Sequence, residues 1–523
     1  MATTDKLDAP SVDAALAEPN RRAGELRWAV PGALVGVLVM FLAHRGLIDD
    51  AYITLSYARN VAEHLHWGMI PTEESNTATS PLNVMLLALA TWISSVTGAL
   101  RPVVGLAILT VALSAAMAVW AAQIARRIDV SAAWSLAVLA VVFANPFVNS
   151  AIGLEVVPIA AFLTGMTAQA VHGRRFGFGL LAGLLVLTRP DMAIIVAVVY
   201  LATPALRQRF WIAAATALAV ALPWWAFSWY HFGSAIPTTL VIKTLQKSFG
   251  GATFANGLWK MWQAGATLPL SLALVPAAVG LLTVLSMVAL GIRGRLAANH
   301  WPVAGLGLGG LADFGAYCLL GVPPYHWYFV APTVALGVTG VFGLALVIRR
   351  TLPTGTPAVR HGVPVAVATA LAVGAALSFR GLGVPWAHPV VFGNWAIPEQ
   401  YMAAGEEIGQ LVGDATVKSP PEIGTVAYAC DCSVVDVFSD PGRTLPLIEK
   451  RIREASPVMR VLLEANFARL DRSQRPRHAQ YRLAWSRDGF PPGLPNWYLH
   501  SPSTGSATMY LEPITNRGGG GGI

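Results

Sequence analysis

Apolar residues in this chain run in long, nearly unbroken blocks rather than in one-sided stripes. Twelve blocks approach the ~20 residues that a helix needs to cross a bilayer. They are 28–45, 81–97, 102–125, 131–148, 153–171, 176–188, 190–205, 210–230, 267–292, 301–321, 325–348 and 362–379. A helix apolar all round is buried in protein or lipid, so the pattern predicts an α-helical polytopic membrane body. Two blocks are short and joined by Thr188-Arg189-Pro190-Asp191, where a proline and two charges sit at membrane depth. Such a join is tolerated where it faces a cavity or protein, not lipid. After Arg380 the pattern turns polar, and residues 381–523 read as a small α/β domain. Within it 399–412 is predicted helical and 425–437 strand-like. Residues 447–472 are predicted helical with a break at Pro457. The glycine run near residue 518 reads as a flexible tail.

Composition agrees. The chain of 523 residues is 55% hydrophobic and 12% charged, with a net charge of +8. Soluble domains carry about 25% charged residues. A basic balance in a soluble chain would raise nucleic acid as a partner. Here the basic residues sit in short loops, where membrane orientation explains them. If all twelve blocks crossed, Arg126 and Arg127 would face outward, with every later basic loop following them. If 81–97 instead enters and returns on the outer side, as a re-entrant or juxtamembrane helix, six basic loops fall on one side. The reading is therefore about eleven spans, with residues 1–27 as a cytoplasmic tail and the first block as an uncleaved anchor. The C-terminal domain is then extracytoplasmic, in a multi-pass protein of the cell membrane. Three cysteines make no disulfide framework, although Cys430 and Cys432 could bridge in an oxidising compartment.

This topology gathers polar residues on the outer face. Asp49 and Asp50 close the first span, and two carboxylates against a bilayer must be solvated, paired or used. Tyr57 and Arg59 follow, then Glu155, Arg189 with Asp191, Lys243, and His326-Trp327-Tyr328. Sugar transfer needs a carboxylate to deprotonate the attacking hydroxyl and positive charge or a metal to stabilise a departing phosphate. Asp49 and Asp50 suit the first task, and Asp50 could instead hold a divalent cation (Mg, Mn or Ca). Arg189, Lys243 and His326 suit the second. Tyr57, Arg59, Glu155, Asp191, Trp327 and Tyr328 are candidates to line the substrate groove. Structural alternatives stand beside these readings. Aspartates at a helix start can be caps, Arg189 and Asp191 can form a buried ion pair, and the aromatics can be an interface belt. Glu63, His64 and His66 match no closed zinc site, and no glycine-rich nucleotide motif occurs.

Asp49-Asp50-Ala51-Tyr52-Ile53 with Tyr57-Ala58-Arg59-Asn60 resembles the first-loop motif of the GT-C superfamily of polyprenyl-phosphate-sugar-dependent glycosyltransferases. Thr79-Ser80-Pro81-Leu82, Leu187 to Asp191, Tyr230 to Thr239 with Lys243, and His326-Trp327-Tyr328 follow in matching order. The pattern is most similar to the cell-wall arabinofuranosyltransferases of mycobacteria and corynebacteria, particularly the type adding terminal β-1,2 residues. The resemblance implies a catalytic membrane domain over 28–380 and an inverting transferase with Asp49 as general base and Asp50 second. It implies a polyprenyl-phosphate-linked donor, arabinofuranose favoured, and a cell-envelope glycan acceptor, with membrane lipid but no nucleic acid as partner. A mannosyl or other hexosyl transferase, a lipid or glycan transporter, and a non-catalytic envelope-assembly protein are the alternatives.

Overall fold

The computed structural model describes residues 24–245, 249–351, 356–420 and 422–514. Most of the N-terminal tail and the glycine-rich C-terminal tail lie outside them. All twelve apolar blocks contain helix. Seven helices are long and apolar enough to cross a membrane: Gly24–Ala43, Pro102–Arg127, Phe210–His231, Thr267–Ile292, Ala298–Leu320, His326–Thr351 and Val359–Leu382. Five shorter apolar helices fill the other blocks. One of them, Pro81–Ser94, starts with its proline in the first turn, where a missing N–H leaves no intrahelical bond unmade. Its 14 residues extend roughly 21 Å, short of the ~30 Å hydrocarbon core.

The helices differ in how far protein surrounds them. His326–Thr351 is central, 78% of its apolar window being buried, whereas Phe210–His231 and Val359–Leu382 are each 11% buried and present their apolar sides outward. Close approach to the central helix is made possible by small residues, as is common where no aqueous hydrophobic effect drives helix pairing. A Cβ on Gly280 would lie 2.0 Å from the Leu336 carbonyl oxygen. Any side chain at 280 would separate the two helices.

The C-terminal region carries a five-stranded sheet in the order β2-β1-β3-β5-β4. Its strands are β1 (Val417–Lys418), β2 (Val434–Val435), β3 (Tyr481–Ser486), β4 (Asn496–Ser501) and β5 (Gly505–Pro513). β1 runs parallel to β2 and β3, and β5 is antiparallel to β3 and β4. Helices Pro398–Val412, Pro441–Arg453 and Pro457–Asn466 accompany it. The break expected at Pro457 is present. The preceding helix starts earlier than expected, because Asp440 caps it by accepting the Gly442 N–H at 2.9 Å.

The strand expected over 425–437 is largely corrected: Gly424–Cys430 is a helix, and Val434–Val435 is the paired part. Val426 and Tyr428 favour strands by propensity, but packing overrides propensity here. The helix lies between Pro398–Val412 and Asp49–His64, with Val426 and Ala427 buried. It ends where Asp431 turns left-handed (φ 51°) inside the Cys430–Cys432 disulfide. One apolar cluster runs across this junction. Tyr57, Trp67 and Val84 from the first loop and the helix after it share a core with Tyr401, Val426, Val434, Leu483 and Met509. The sheet region is therefore packed onto the loop that carries the acidic pair.

Candidate functional site

Ile48 is extended and precedes the first turn of helix Asp49–His64, so both aspartates stand at its positive N-terminal end. Their surroundings differ. Asp49 is 4% exposed, and its carboxylate accepts the Gly424 N–H at 2.8 Å and the Thr425 N–H at 2.7 Å. Burial pushes its pKa up to about 6, and these two N–H donors hold it from rising further. Beside it Glu422 is pushed to about 7 by burial and by the Asp49 charge. Glu422 accepts from the Trp395 N–H at 2.8 Å and the Tyr401 hydroxyl at 2.5 Å. Asp50 is half-buried and has no hydrogen-bond or ion-pair partner among the described residues. Asp49 thus clasps the C-terminal region, and Asp50 keeps its carboxylate available.

A second cluster lies at the broken join. Arg189 is 4% exposed and grips Asp191 in a fork, Nε to Oδ1 at 3.1 Å and an Nη to Oδ2 at 2.7 Å. Its other Nη stands 3.6 Å from Glu155, and the guanidinium donates to the Tyr317 hydroxyl. It also lies 5.1 Å from the ring centre of Tyr328. The Tyr317 hydroxyl donates to Asp191 at 2.9 Å. Asp313 is fully buried nearby, with no partner for either oxygen. Neither Asp313 nor Tyr317 was among the expected site residues. The signal for Asp313 was present, as the lone carboxylate in the apolar block 301–321.

Tyr328 joins the two clusters, within electrostatic reach of Asp50, Glu155, Asp191 and Arg189. Lys243 sits on the far side, 4.8 Å from the Tyr325 ring centre and 5.5 Å from that of Trp327, and its charge reaches Glu155. No carboxylate among the described residues pairs with it. His326 stands edge-on to Trp327, its Nε2 buried without a partner. The structure therefore brings together Asp49, Asp50, Glu155, Arg189, Asp191, Lys243, His326, Trp327 and Tyr328. Tyr57 and Arg59 are placed otherwise. The Tyr57 hydroxyl is buried against Ser75 and Thr77, at 2.7 Å and 2.6 Å from their side-chain oxygens. Arg59 binds Asp431 at 2.8 Å and stacks over Tyr428. Both organise the first loop and its contact with the C-terminal region.

Among the described residues no three His, Cys, Asp or Glu side chains converge to hold a metal by themselves, and both Asp49 oxygens already accept N–H donors, so Asp50 is the carboxylate of the pair free to meet a cation shared with a substrate phosphate.

No family model matches this sequence, and no curated protein matches it either. Solved structures do. ArnT from Cupriavidus metallidurans in the apo state aligns with TM-score 0.55 at 12% identity, over 92% of this chain and 97% of that one. The fold is GT-C-like. The same ArnT bound to undecaprenyl phosphate aligns with TM-score 0.53 at 12% identity, over 92% of this chain and 98% of that one. The Archaeoglobus fulgidus oligosaccharyltransferase aligns with TM-score 0.54 at 13% identity, over 88% of this chain and 69% of that one. The likeness is one of fold and spans the membrane body and the C-terminal region together.

Proposed function

We propose that the chain is an inverting glycosyltransferase that moves a sugar from a polyprenyl-phosphate donor to a cell-envelope glycan on the outer face of the membrane. The observation that carries this reading is the unpartnered Asp50 at a helix N-terminus, with Tyr328 within reach of its charge and of Arg189, Glu155 and Asp191, and with Lys243 beside Tyr325 and Trp327. A fold shared with an ArnT structure that holds undecaprenyl phosphate supports the lipid-phosphate donor. The order of sequence motifs favours arabinofuranose and the terminal β-1,2 linkage.

Asp50 is the base in this mechanism, and Asp49 the positioning residue, the reverse of the order the motif alone implies. Asp50 takes the proton of the acceptor hydroxyl as its oxygen attacks the anomeric carbon. The bond from that carbon to the phosphate oxygen breaks, and the phosphate leaves with the electron pair. A single displacement inverts the anomeric centre. Lys243 offers an unneutralised positive charge to the leaving phosphate. Arg189, already engaged by Asp191 and Glu155, stacks over the Tyr328 ring and holds it in place. Trp327 and Tyr328 supply apolar faces for the sugar or the first prenyl units.

The test is transfer from a panel of polyprenyl-phosphate sugars by the purified full chain and by Asp50→Asn. Consumption of one donor, in the presence of acceptor, that vanishes in Asp50→Asn is expected. Transfer that survives in Asp50→Asn at the unmodified rate would sink the assignment.

A further inference from the structure

A cavity of about 240 Å³ lies where the first loop, the C-terminal end of helix Phe210–His231 and the C-terminal region meet. Ser75, Asn76 and Thr77 line one side, and Thr444, Arg469 and Gln474 line the other. Its lining is mixed: these hydroxyl and amide groups face Phe232, Phe438, Leu445 and Ile448, and its carboxylates Glu74 and Asp471 stand against Arg469, with His231 bonded to Glu74 at 2.8 Å. Such a lining does not favour a phosphate or a carboxylate, which would call for an excess of cations. It suits a neutral polyol, whose hydroxyls both donate and accept. Pockets for drug-sized ligands run to roughly 300–1,000 Å³, so this one is sized for a single ring.

Asn76 anchors one wall of the cavity. The residue is 5% exposed, and its amide nitrogen stands 3.0 Å from the Ser228 hydroxyl and 2.9 Å from the Ser234 carbonyl. Its Oδ1 has no partner. The walls are also fixed. Gly233 is left-handed (φ 77°), and a Cβ there would lie 2.6 Å from the Leu470 Cα, so two distant segments touch backbone to backbone.

The cavity is tied to the reaction centre from two sides. Tyr57 holds Ser75 and Thr77 from the helix that starts with the acidic pair. The Thr238 N–H donates to the Asn76 carbonyl at 2.9 Å, and the Thr239 hydroxyl to the Thr77 carbonyl at 2.8 Å. That segment runs on to Lys243. Asp50 and Tyr57 are separated along their helix by roughly 10 Å. Tyr57, whose hydroxyl meets the cavity-lining Ser75 and Thr77, thus stands about two helical turns from Asp50, which places the cavity beyond a ring held at Asp50. We infer that it is an acceptor subsite binding a neutral sugar unit of the glycan, remote from the hydroxyl that is glycosylated. This inference rests on the proposed transferase reading.

The test uses the purified full chain with neutral oligosaccharides of increasing length, pentose and hexose series in parallel. Gln474→Ala removes one lining group, and Gln474→Trp fills the cavity. With donor present, the KM for long acceptors should rise about 10-fold in both variants, while kcat, donor KM and the KM for a monosaccharide acceptor stay unchanged. Unaltered KM at every length, in a chain that does transfer sugar, overturns the subsite. Oligosaccharide binding is also measured without donor. Binding lost in Gln474→Trp supports the cavity even if no donor is consumed, in which case the transferase reading alone fails. An unmodified chain that binds none of the oligosaccharides overturns the inference.

Discussion

The acidic pair at the start of helix Asp49–His64 and the charge cluster around Arg189 are built from the same residue types and do opposite things. At the pair, one carboxylate is fixed by two backbone N–H donors and its neighbour is left without a partner. At the join, one guanidinium is saturated by Asp191, Glu155 and Tyr317, with Asp313 buried beside it. The first arrangement leaves reactive capacity at the site; the second uses its charges to hold segments together. Proximity to the candidate site therefore does not make a charge available. Among the three residues expected to meet phosphate, Lys243 is the cation that no carboxylate pairs with among the described residues.

The comparison breaks most sharply at Asp50. Asp50→Asn should lower kcat by ~10²–10⁴-fold, the usual contribution of a general base, with little change in melting temperature. Asp49→Asn should do the reverse in kind. It puts an amide NH₂ against the Gly424 or Thr425 N–H, so stability falls by about 1–3 kcal/mol and the rate falls less than in Asp50→Asn. A silent Asp50→Asn beside a dead but stable Asp49→Asn would reverse the two roles. Next in size is Arg189→Ala, which leaves Asp191, Glu155 and Asp313 without their cation. It should destabilise the chain by about 3–5 kcal/mol. Adding Asp191→Asn should restore part of that in a thermal melt, an outcome that a pure phosphate-binding role for Arg189 would not give.

Sequence reading reached the membrane body because long apolar blocks allow little else, and every block proved to contain helix. It reached the acidic pair because charge is scarce in this chain. It ranked Asp49 ahead of Asp50 as base without sight of the partners that distinguish them, which lie 375 and 376 residues away, at Gly424 and Thr425. The Gly424–Cys430 helix was missed for the same reason: packing between distant helices outweighed the local strand preference of Val426 and Tyr428. Tyr57 and Arg59 were named for their chemistry, but their polar atoms face the first loop and the C-terminal region. Asp313 was legible by the same rule that picked out Asp49, applied to a single residue instead of a pair.

Two smaller effects sharpen the contrast. Lys243→Ala should raise the donor KM about 10-fold with the fold intact, whereas Arg189→Ala loses the fold first. A change in melting temperature without a change in donor KM would return Lys243 to a structural role. The smallest effect lies in the pH dependence of the clasp. Asp49 is raised from its ordinary 3.8 to about 6 and Glu422 from 4.5 to about 7, both chiefly by burial. A carboxyl group raised in the folded state binds its proton more tightly there than when unfolded. Its ionisation therefore weighs against the fold above the folded pKa, and that burden is relieved as pH falls towards the unfolded value. The junction should accordingly gain stability between about pH 7 and pH 4.5, seen as a melting temperature a few degrees higher at pH 5.5 than at pH 7.5. Glu422→Gln, which removes one of the two charges, should flatten that slope by raising stability at pH 7.5. A melting temperature that falls steadily with acid in the unmodified chain, and equally in Glu422→Gln, would mean that Asp49 and Glu422 do not set the strength of the contact that leaves Asp50 unpartnered.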